Sequence, residues 1–332
     1  MYNKLIEQFL AENKEEIING TLDSYYEIAR RIISENKLDL TYDYLSRKVS
    51  KIVKKRFKDF GHYGKKQGVP EHIGRFPNIF VFDVETLPME VFVFGLYKQR
   101  ISHKAVKNDW CMLSWVGKWL FQDEVYSDCL TPEEARSRND KRIATSIWQH
   151  IEQADVVIAH NGNRFDVKVL NARFFLNGLM RPSPYQVIDT LKITQNTFKF
   201  SSHKLDYISQ IVFDKKKLET ELDLWIRCTL GEQDALDYML EYNIKDTLLL
   251  EEAYIMLRPW MKSHPNMAIY SDATESCCPV CMSNDYAESG QYVTPAGSYT
   301  SYRCNKCKAP FRARTSNLTI EERKKLLIST AR

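Results

Sequence analysis

The run Ile79-Phe80-Val81-Phe82-Asp83-Val84-Glu85-Thr86 constrains the chain more than any other stretch. Its apolar residues are all β-branched or aromatic, and Pro77-Asn78 precedes them, so it reads as a buried strand rather than a helix. Side chains alternate along a strand, so Asp83 and Glu85, two positions apart, project from one face. Two acids side by side at the end of a buried strand are costly to ionise unless something neutralises them, and a divalent cation is the usual solution. The competing reading places two acids in a loop just past the strand, and the rest of the chain has to decide between them.

The 332 residues exceed one average domain. No run of about 18 apolar residues occurs, so no transmembrane helix and no membrane partner are expected. Met1-Tyr2-Asn3-Lys4-Leu5 lacks the basic-apolar-small order of a secretory leader, which points to the cytoplasm. Charge is distributed unevenly: residues 1–76 hold fifteen basic and eleven acidic side chains, residues 77–257 twenty-one against twenty-six, and residues 258–332 eleven against six. An acidic centre suits metal binding, and basic flanks suit a polyanion.

Residues 1–70 read as a helical domain. Tyr25, Ile28, Ala29, Ile32 and Ile33 recur at helical spacing, as do Leu45, Val49, Ile52, Val53 and Phe57. The second pattern carries seven cations from Arg47 to Lys58, with no acid among them, and is compatible with helix-turn-helix binding of nucleic acid. Gly61, Gly64, Gly68, Pro70, Gly74 and Pro77 mark a linker. Further strands are expected at Glu90–Tyr97 and Met112–Val116, forming with the first an antiparallel meander. A helix capped at Thr131-Pro132-Glu133-Glu134 should run to about Gln153. A strand over 155–160, a helix bearing Val167, Leu170, Phe174 and Leu179, a short strand at Val187-Ile188, and helices over 203–212 and 231–257 complete an α/β domain spanning 77–262. His160 reads as a structural histidine and Asp189 as the opening of a turn.

Two more acids echo the first pair. Asp166 follows a buried strand and lies in the first turn of a helix, and Asp246 stands one helical turn after Tyr242. Together, Asp83-x-Glu85, Asn161-Gly162-x-x-Phe165-Asp166 and Tyr242-x-x-x-Asp246 resemble the three motifs of the DnaQ-like 3′–5′ exonucleases of the ribonuclease H fold, in their tyrosine-type (DEDDy) branch. Position 241 is Glu, so the histidine branch does not fit. The resemblance covers roughly half the chain, and Ile188-Asp189-Thr190-Leu191 and Phe200 to Asp206 extend it toward YprB-type proteins and family B polymerase exonuclease domains. It implies a ribonuclease H-like mixed sheet flanked by helices. It also implies that Asp83 bridges two ions, with Glu85, Asp166 and Asp246 completing their shells and Tyr242 orienting the attacking water. Thr86 and Leu87 would contact the terminal nucleotide, Asn161 and Phe165 would bracket the entry groove, and Lys204 would meet a phosphate. Four carboxylates without thiolate or imidazole favour Mg2+ or Mn2+.

The eight cysteines are unevenly placed. Cys278-Pro279-Val280-Cys281 and Cys304-Asn305-Lys306-Cys307 form two C-x-x-C pairs separated by twenty-two residues. That spacing lets four thiolates converge on one structural Zn2+, with intervening strands, so residues 270–315 look like a zinc ribbon. Cys277 is left as a bystander or alternate ligand, and 316–332 as a basic tail. The expected protein is a 3′–5′ exonuclease acting on nucleic acid, DNA before RNA. The attached modules resemble those of phage and mobile-element nucleases. A nucleic-acid-binding scaffold with a silent nuclease fold, and an RNA-processing or structure-specific nuclease, are the rival readings.

Overall fold

The computed structural model describes residues 2–13, 25–36, 49, 76–98, 100–213, 220–270 and 275–327. The chain divides into two units, Met1–Val69 and Pro70–Arg332. In the first, helices α1 (Tyr2–Glu12) and α2 (Tyr25–Asn36) bury Ile6, Phe9 and Leu10, and Ile28, Ala29, Ile32 and Ile33. The basic helical pattern from Arg47 to Lys58, apart from the buried Val49, and the linker up to Arg75 lie outside the described residues.

In the second unit the run around Asp83 becomes strand β1 (Ile79–Leu87), at the centre of a five-stranded sheet. Its companions are β4 (Cys111–Trp119), β5 (Tyr126–Cys129), β6 (Val156–Ala159) and β7 (Gln186–Asp189), in the order β5-β4-β1-β6-β7. β1 pairs antiparallel with β4 and parallel with β6, so the sheet is mixed. Period-two alternation sorts β1 into two cores. Phe80, Phe82 and Val84 pack with Ile143, Ile147, Leu170 and Phe174, while Ile79 and Val81 pack on the other face with Ile158, Leu250, Ala253 and Tyr254. Gly117 makes room for this packing, since a Cβ there would lie 2.2 Å from the Phe80 ring.

Helices cover the sheet: α3 (Pro132–Ser137), α4 (Lys141–Glu152), α5 (Asp166–Leu176), α6 (Thr190–Thr197), α7 (Leu205–Phe213), α8 (Leu222–Thr229) and the long α9 (Gln233–Leu257). Thr131 and Glu134 form the expected capping box, but the single helix to Gln153 is two helices. Arg138 takes a left-handed conformation (φ 54°) and its guanidinium reaches the carbonyls of Pro88 and Asp109 and the Glu90 carboxylate, which ends the first helix.

The expected strand over Glu90–Tyr97 is also corrected. Only β2 (Glu90–Val91) forms, pairing with β3 (Val106–Asn108) in a separate two-stranded ribbon between β1 and β4. The residues that follow are apolar enough for a strand, but among the described residues no layer covers them, and Phe92, Phe94, Leu96 and Tyr97 are exposed. Near the C-terminus, β8 (Tyr286–Thr294), β9 (Gly297–Cys304) and β10 (Pro310–Arg312) form an antiparallel sheet in the order β10-β9-β8, and α10 (Ile320–Lys325) follows.

Candidate active site

Asp83 and Glu85 point from β1 toward the face covered by α9, and Asp246 comes down to meet them. Carboxylate oxygens of these three residues all lie within 4.8 Å of one another. Asp166, the first residue of α5, sits beside this group and is almost wholly buried. Its Oδ1 accepts a hydrogen bond from the Val84 amide at 3.3 Å, and its Oδ2 has no hydrogen-bond partner among the described residues. Burial first, and then the neighbouring charges of Asp83 and Glu85, push its carboxyl well above the usual carboxylate range. A buried, unsatisfied oxygen beside three converging carboxylates is a site short of positive charge, and its all-oxygen donor set fits a hard divalent cation.

Tyr242 stands one turn before Asp246 and its hydroxyl donates to that carboxylate. Burial, then the charge of Asp246, raise its pKa, so it remains a neutral donor across the physiological range.

α9 is held against β4 by a row of buried polar contacts that sequence reading missed. Asn243 Nδ2 donates to Ser114 Oγ at 3.1 Å, Thr247 Oγ1 to the Val116 carbonyl at 3.5 Å, and Lys118 Nζ meets Glu251 Oε2 at 2.5 Å. Four helix residues rise about 6 Å and two strand residues about 6.8 Å, so the two periods nearly match and three successive contacts fit. In the β1–β4 register Ser114 lies opposite Glu85 and Val116 opposite Asp83. The contacts therefore set Asp246 at the level of the β1 acids. The available signal was a set of polar residues, spaced by four, on the buried face of a helix. Replacing Asn243 with Ala should lower kcat about 10- to 100-fold, as loss of outer-shell support does at metal sites, with KM little changed. Steady-state kinetics beside a thermal melt separates this from simple unfolding.

The loop leading to Asp166 is equally determined. Asn161 is left-handed (φ 72°), and a Cβ on Gly162 would lie 2.7 Å from that of Ala159, which accounts for the Asn-Gly pair. Asp189 caps α6 through the amides of Leu191 and Lys192 and also accepts from those of Asn161 and Asn163, so it fastens this loop as well as opening its own helix. His160 is structural, bonded to Thr190 Oγ1 and the His203 carbonyl.

A cleft of about 270 Å³ is lined by Thr86, Trp110, Arg164, Phe165, Lys168 and Val169, of which Thr86 follows Glu85 and Phe165 precedes Asp166 in the chain. Thr86 and Phe165 thus share one wall system, with two cations the sequence reading had not singled out. Leu87 is fully buried in the core, past a register shift between Glu85 and Thr86, so any contact with a nucleotide would run through its backbone. Asn161 and Lys204 do not line this cleft; Lys204 is exposed just before α7.

The second cluster is Cys278, Cys281, Cys304 and Cys307, all buried, with their sulfurs within 4.8 Å of one another. Both C-x-x-C turns have the same geometry. The residues after them, Met282 (φ 60°) and Lys308 (φ 63°), are left-handed and donate back to the carbonyls of Cys278 and Cys304. Hydrogen bonds from Cys278 and Cys281 lower the Cys307 thiol below the ordinary thiol range. Four buried sulfurs in a closed cage fit a structural zinc ion. Cys277 lies outside the cage and packs against the core around Tyr254.

A mixed five-stranded sheet with carboxylates converging on its central strand defines a ribonuclease H-like domain. Residues 121–258 match the family model described as RNase_H superfamily, which includes nucleases. The matched segment contains Asp166, Tyr242 and Asp246, while Asp83 and Glu85 lie before it on the adjoining strand. No curated protein matches the chain.

Proposed function

We propose that this protein is a metal-dependent 3′–5′ exonuclease that removes nucleotides from the 3′ end of nucleic acid, DNA in preference to RNA. The observation that carries the reading is the convergence of Asp83, Glu85 and Asp246 beside the buried Asp166, with the Tyr242 hydroxyl on Asp246. This donor set favours Mg2+ or Mn2+, held by Asp83, Glu85, Asp166 and Asp246. Bound there, two such ions supply an activated water and stabilise charge on the attacking and leaving oxygens of an in-line displacement at phosphorus.

The chain's own residues do the positioning. β1 presents two carboxylates on a rigid strand, and α9 delivers the third in fixed register. Tyr242 keeps its proton and orients a water or phosphate oxygen rather than acting as a base. Thr86 and Phe165 wall the place where a terminal nucleotide would sit, with Arg164 and Lys168 available to its phosphates. The cysteine cage holds one structural Zn2+, and the cations Lys306, Lys308, Arg312 and Arg314 of its module contact the nucleic acid.

Incubation of 3′- and 5′-labelled DNA and RNA strands with Mg2+ or Mn2+ tests the reading. Ladders that shorten from the 3′ end, and that vanish with Asp83→Ala, are expected. Intact strands under every condition overturn it, and faster loss of RNA overturns the substrate preference. Tyr242→Phe should lower kcat about 10- to 100-fold and leave the shape of the pH–rate profile unchanged, because a positioning hydroxyl does not titrate in the working range.

A further inference from the structure

The ribbon between β1 and β4 has no part in the sheet or in either core. Phe94 is fully exposed, Leu96 is 90% exposed and Phe92 70%. From Phe92 to Asn108 the sequence contains no acid, while Lys98, Arg100, Lys104 and Lys107 are cationic. Lys107 pairs with Glu90, and among the described residues Lys98, Arg100 and Lys104 have no carboxylate partner. The ribbon is braced at its foot, where Arg138 binds the carbonyls of Pro88 and Asp109 at 2.8 Å each and Glu90 at 2.9 Å. Thr86, the last residue but one of β1, and Trp110, which immediately precedes β4, both line the cleft.

We propose that this ribbon is a stacking platform for single-stranded nucleic acid entering the cleft, with Phe92 and Phe94 under the bases and Lys98, Arg100 and Lys104 on the phosphates. The proposal rests on the nuclease reading for its choice of polymer. Every base has a face that stacks on an aromatic ring, and a cationic track follows the backbone whatever the sequence. The cations that follow the aromatic run argue against a protein-docking face, because lysine is depleted from the centres of such interfaces. Because the residues flanking the ribbon, Thr86 and Trp110, line the cleft, bases stacked on the ribbon would lie upstream of the nucleotide held against Thr86 and Phe165.

The test uses the full chain carrying Asp83→Ala, without added Mg2+ or Mn2+, and fluorescence anisotropy of a labelled twenty-nucleotide oligothymidylate. Phe92→Ala with Phe94→Ala should weaken binding about 100-fold, roughly tenfold for each ring, at an unchanged salt slope. Lys98→Ala with Arg100→Ala should reduce the slope of log K against log salt by about 1.4, near 0.7 for each phosphate no longer neutralised. Both pairs are exposed, so the melting temperature should not move.

Unchanged affinity in both double variants overturns the proposal. So does intact DNA affinity accompanied by loss of self-association in sedimentation velocity, or by loss of binding to phosphatidylserine vesicles, since either reassigns the face to a protein or a membrane. Hydrolysis of the p-nitrophenyl ester of thymidine 5′-monophosphate, too small to reach the ribbon, reports on the carboxylate site alone. If wild type cleaves the ester and Asp83→Ala does not, while the ribbon variants bind normally, only the ribbon assignment fails. If ester and labelled strands both survive but the ribbon variants lose binding, the nuclease reading fails and the ribbon assignment stands.

Discussion

Asp166→Asn should abolish hydrolysis and, in the cation-free protein, raise the melting temperature. The loss of activity follows from removing one of the four carboxylates proposed to hold the ions, and a fall of at least a thousandfold in kcat/KM, about 4 kcal/mol of transition-state stabilisation, is expected. The gain in stability has a separate cause. The Asp166 carboxyl is held well above its ordinary range by burial and by Asp83 and Glu85. As pH rises, the unfolded chain ionises this group first and so becomes favoured, and the penalty grows until the folded group ionises too. At low pH both states are protonated and the penalty is absent. An asparagine carries no proton to lose, so at neutral pH the variant should be the more stable, by roughly the 0.5–2 kcal/mol that single stabilising substitutions commonly give. That corresponds to a few degrees in Tm for a unit of this size. The same linkage requires cation binding to release a proton, so affinity for Mg2+ or Mn2+ should rise with pH over the interval in which Asp166 is protonated. Thermal melts with and without Mn2+, over a pH series, check both claims. A wild-type protein whose cation-free stability does not fall relative to Asp166→Asn as pH increases would sink this account of the site.

Cys278→Ser should cost the chain its C-terminal sheet. The core beneath the three strands β8 to β10 is little more than the four cysteines, Val280 and Ala309, with Phe311 partly covered. A module this small cannot hold its fold on such a core, and a structural zinc ion contributes on the order of 10–16 kcal/mol in comparable peptides. The consequence extends further, because Met282 packs with Met267 and Tyr254 in the core beneath α9, and the Met267 amide donates to the Pro279 carbonyl at 2.8 Å. Loss of the cage therefore removes part of the packing on the C-terminal half of the helix that carries Asp246. One zinc per chain is expected on release with a thiol-blocking reagent and a chromogenic chelator. In the serine variant, zinc should be lost, amide exchange should become fast across residues 286–304, and protection around Tyr254 should fall by a smaller amount. Wild-type exchange rates in a zinc-free variant would show that the strands stand without metal.

Much of this was readable from the sequence where the information is local. Alternation along the strand put Asp83 and Glu85 on one face, helical spacing put Tyr242 on the same side as Asp246, and short C-x-x-C spacing brought each pair of sulfurs together. What the sequence did not show depends on partners distant along the chain. Asn243 and Thr247 acquire meaning only against Ser114 and Val116, more than a hundred residues away. Asp189 looked like the beginning of a turn because its other bonds go to a loop on the neighbouring strand. The segment after Val91 has the composition of a strand, and only its place outside the layers explains why it is not one. β5, α6 and α8 were missed because each is short and rests on neighbours rather than on a pattern of its own.

The matched periods of α9 and β4 restrict where this fold can change in length. One residue inserted between Asn243 and Glu251 would turn the remainder of the helix by about 100° and shift it about 1.5 Å, and one inserted between Ser114 and Lys118 would reverse the face of every later side chain in the strand. Either event would break at least one of the three polar contacts and strand an amide, hydroxyl or charge in the core. Insertions and deletions should accordingly be confined to connections outside 114–118 and 243–251, and a library of single-residue insertions scored for soluble, active protein would trace the two forbidden windows directly onto these elements.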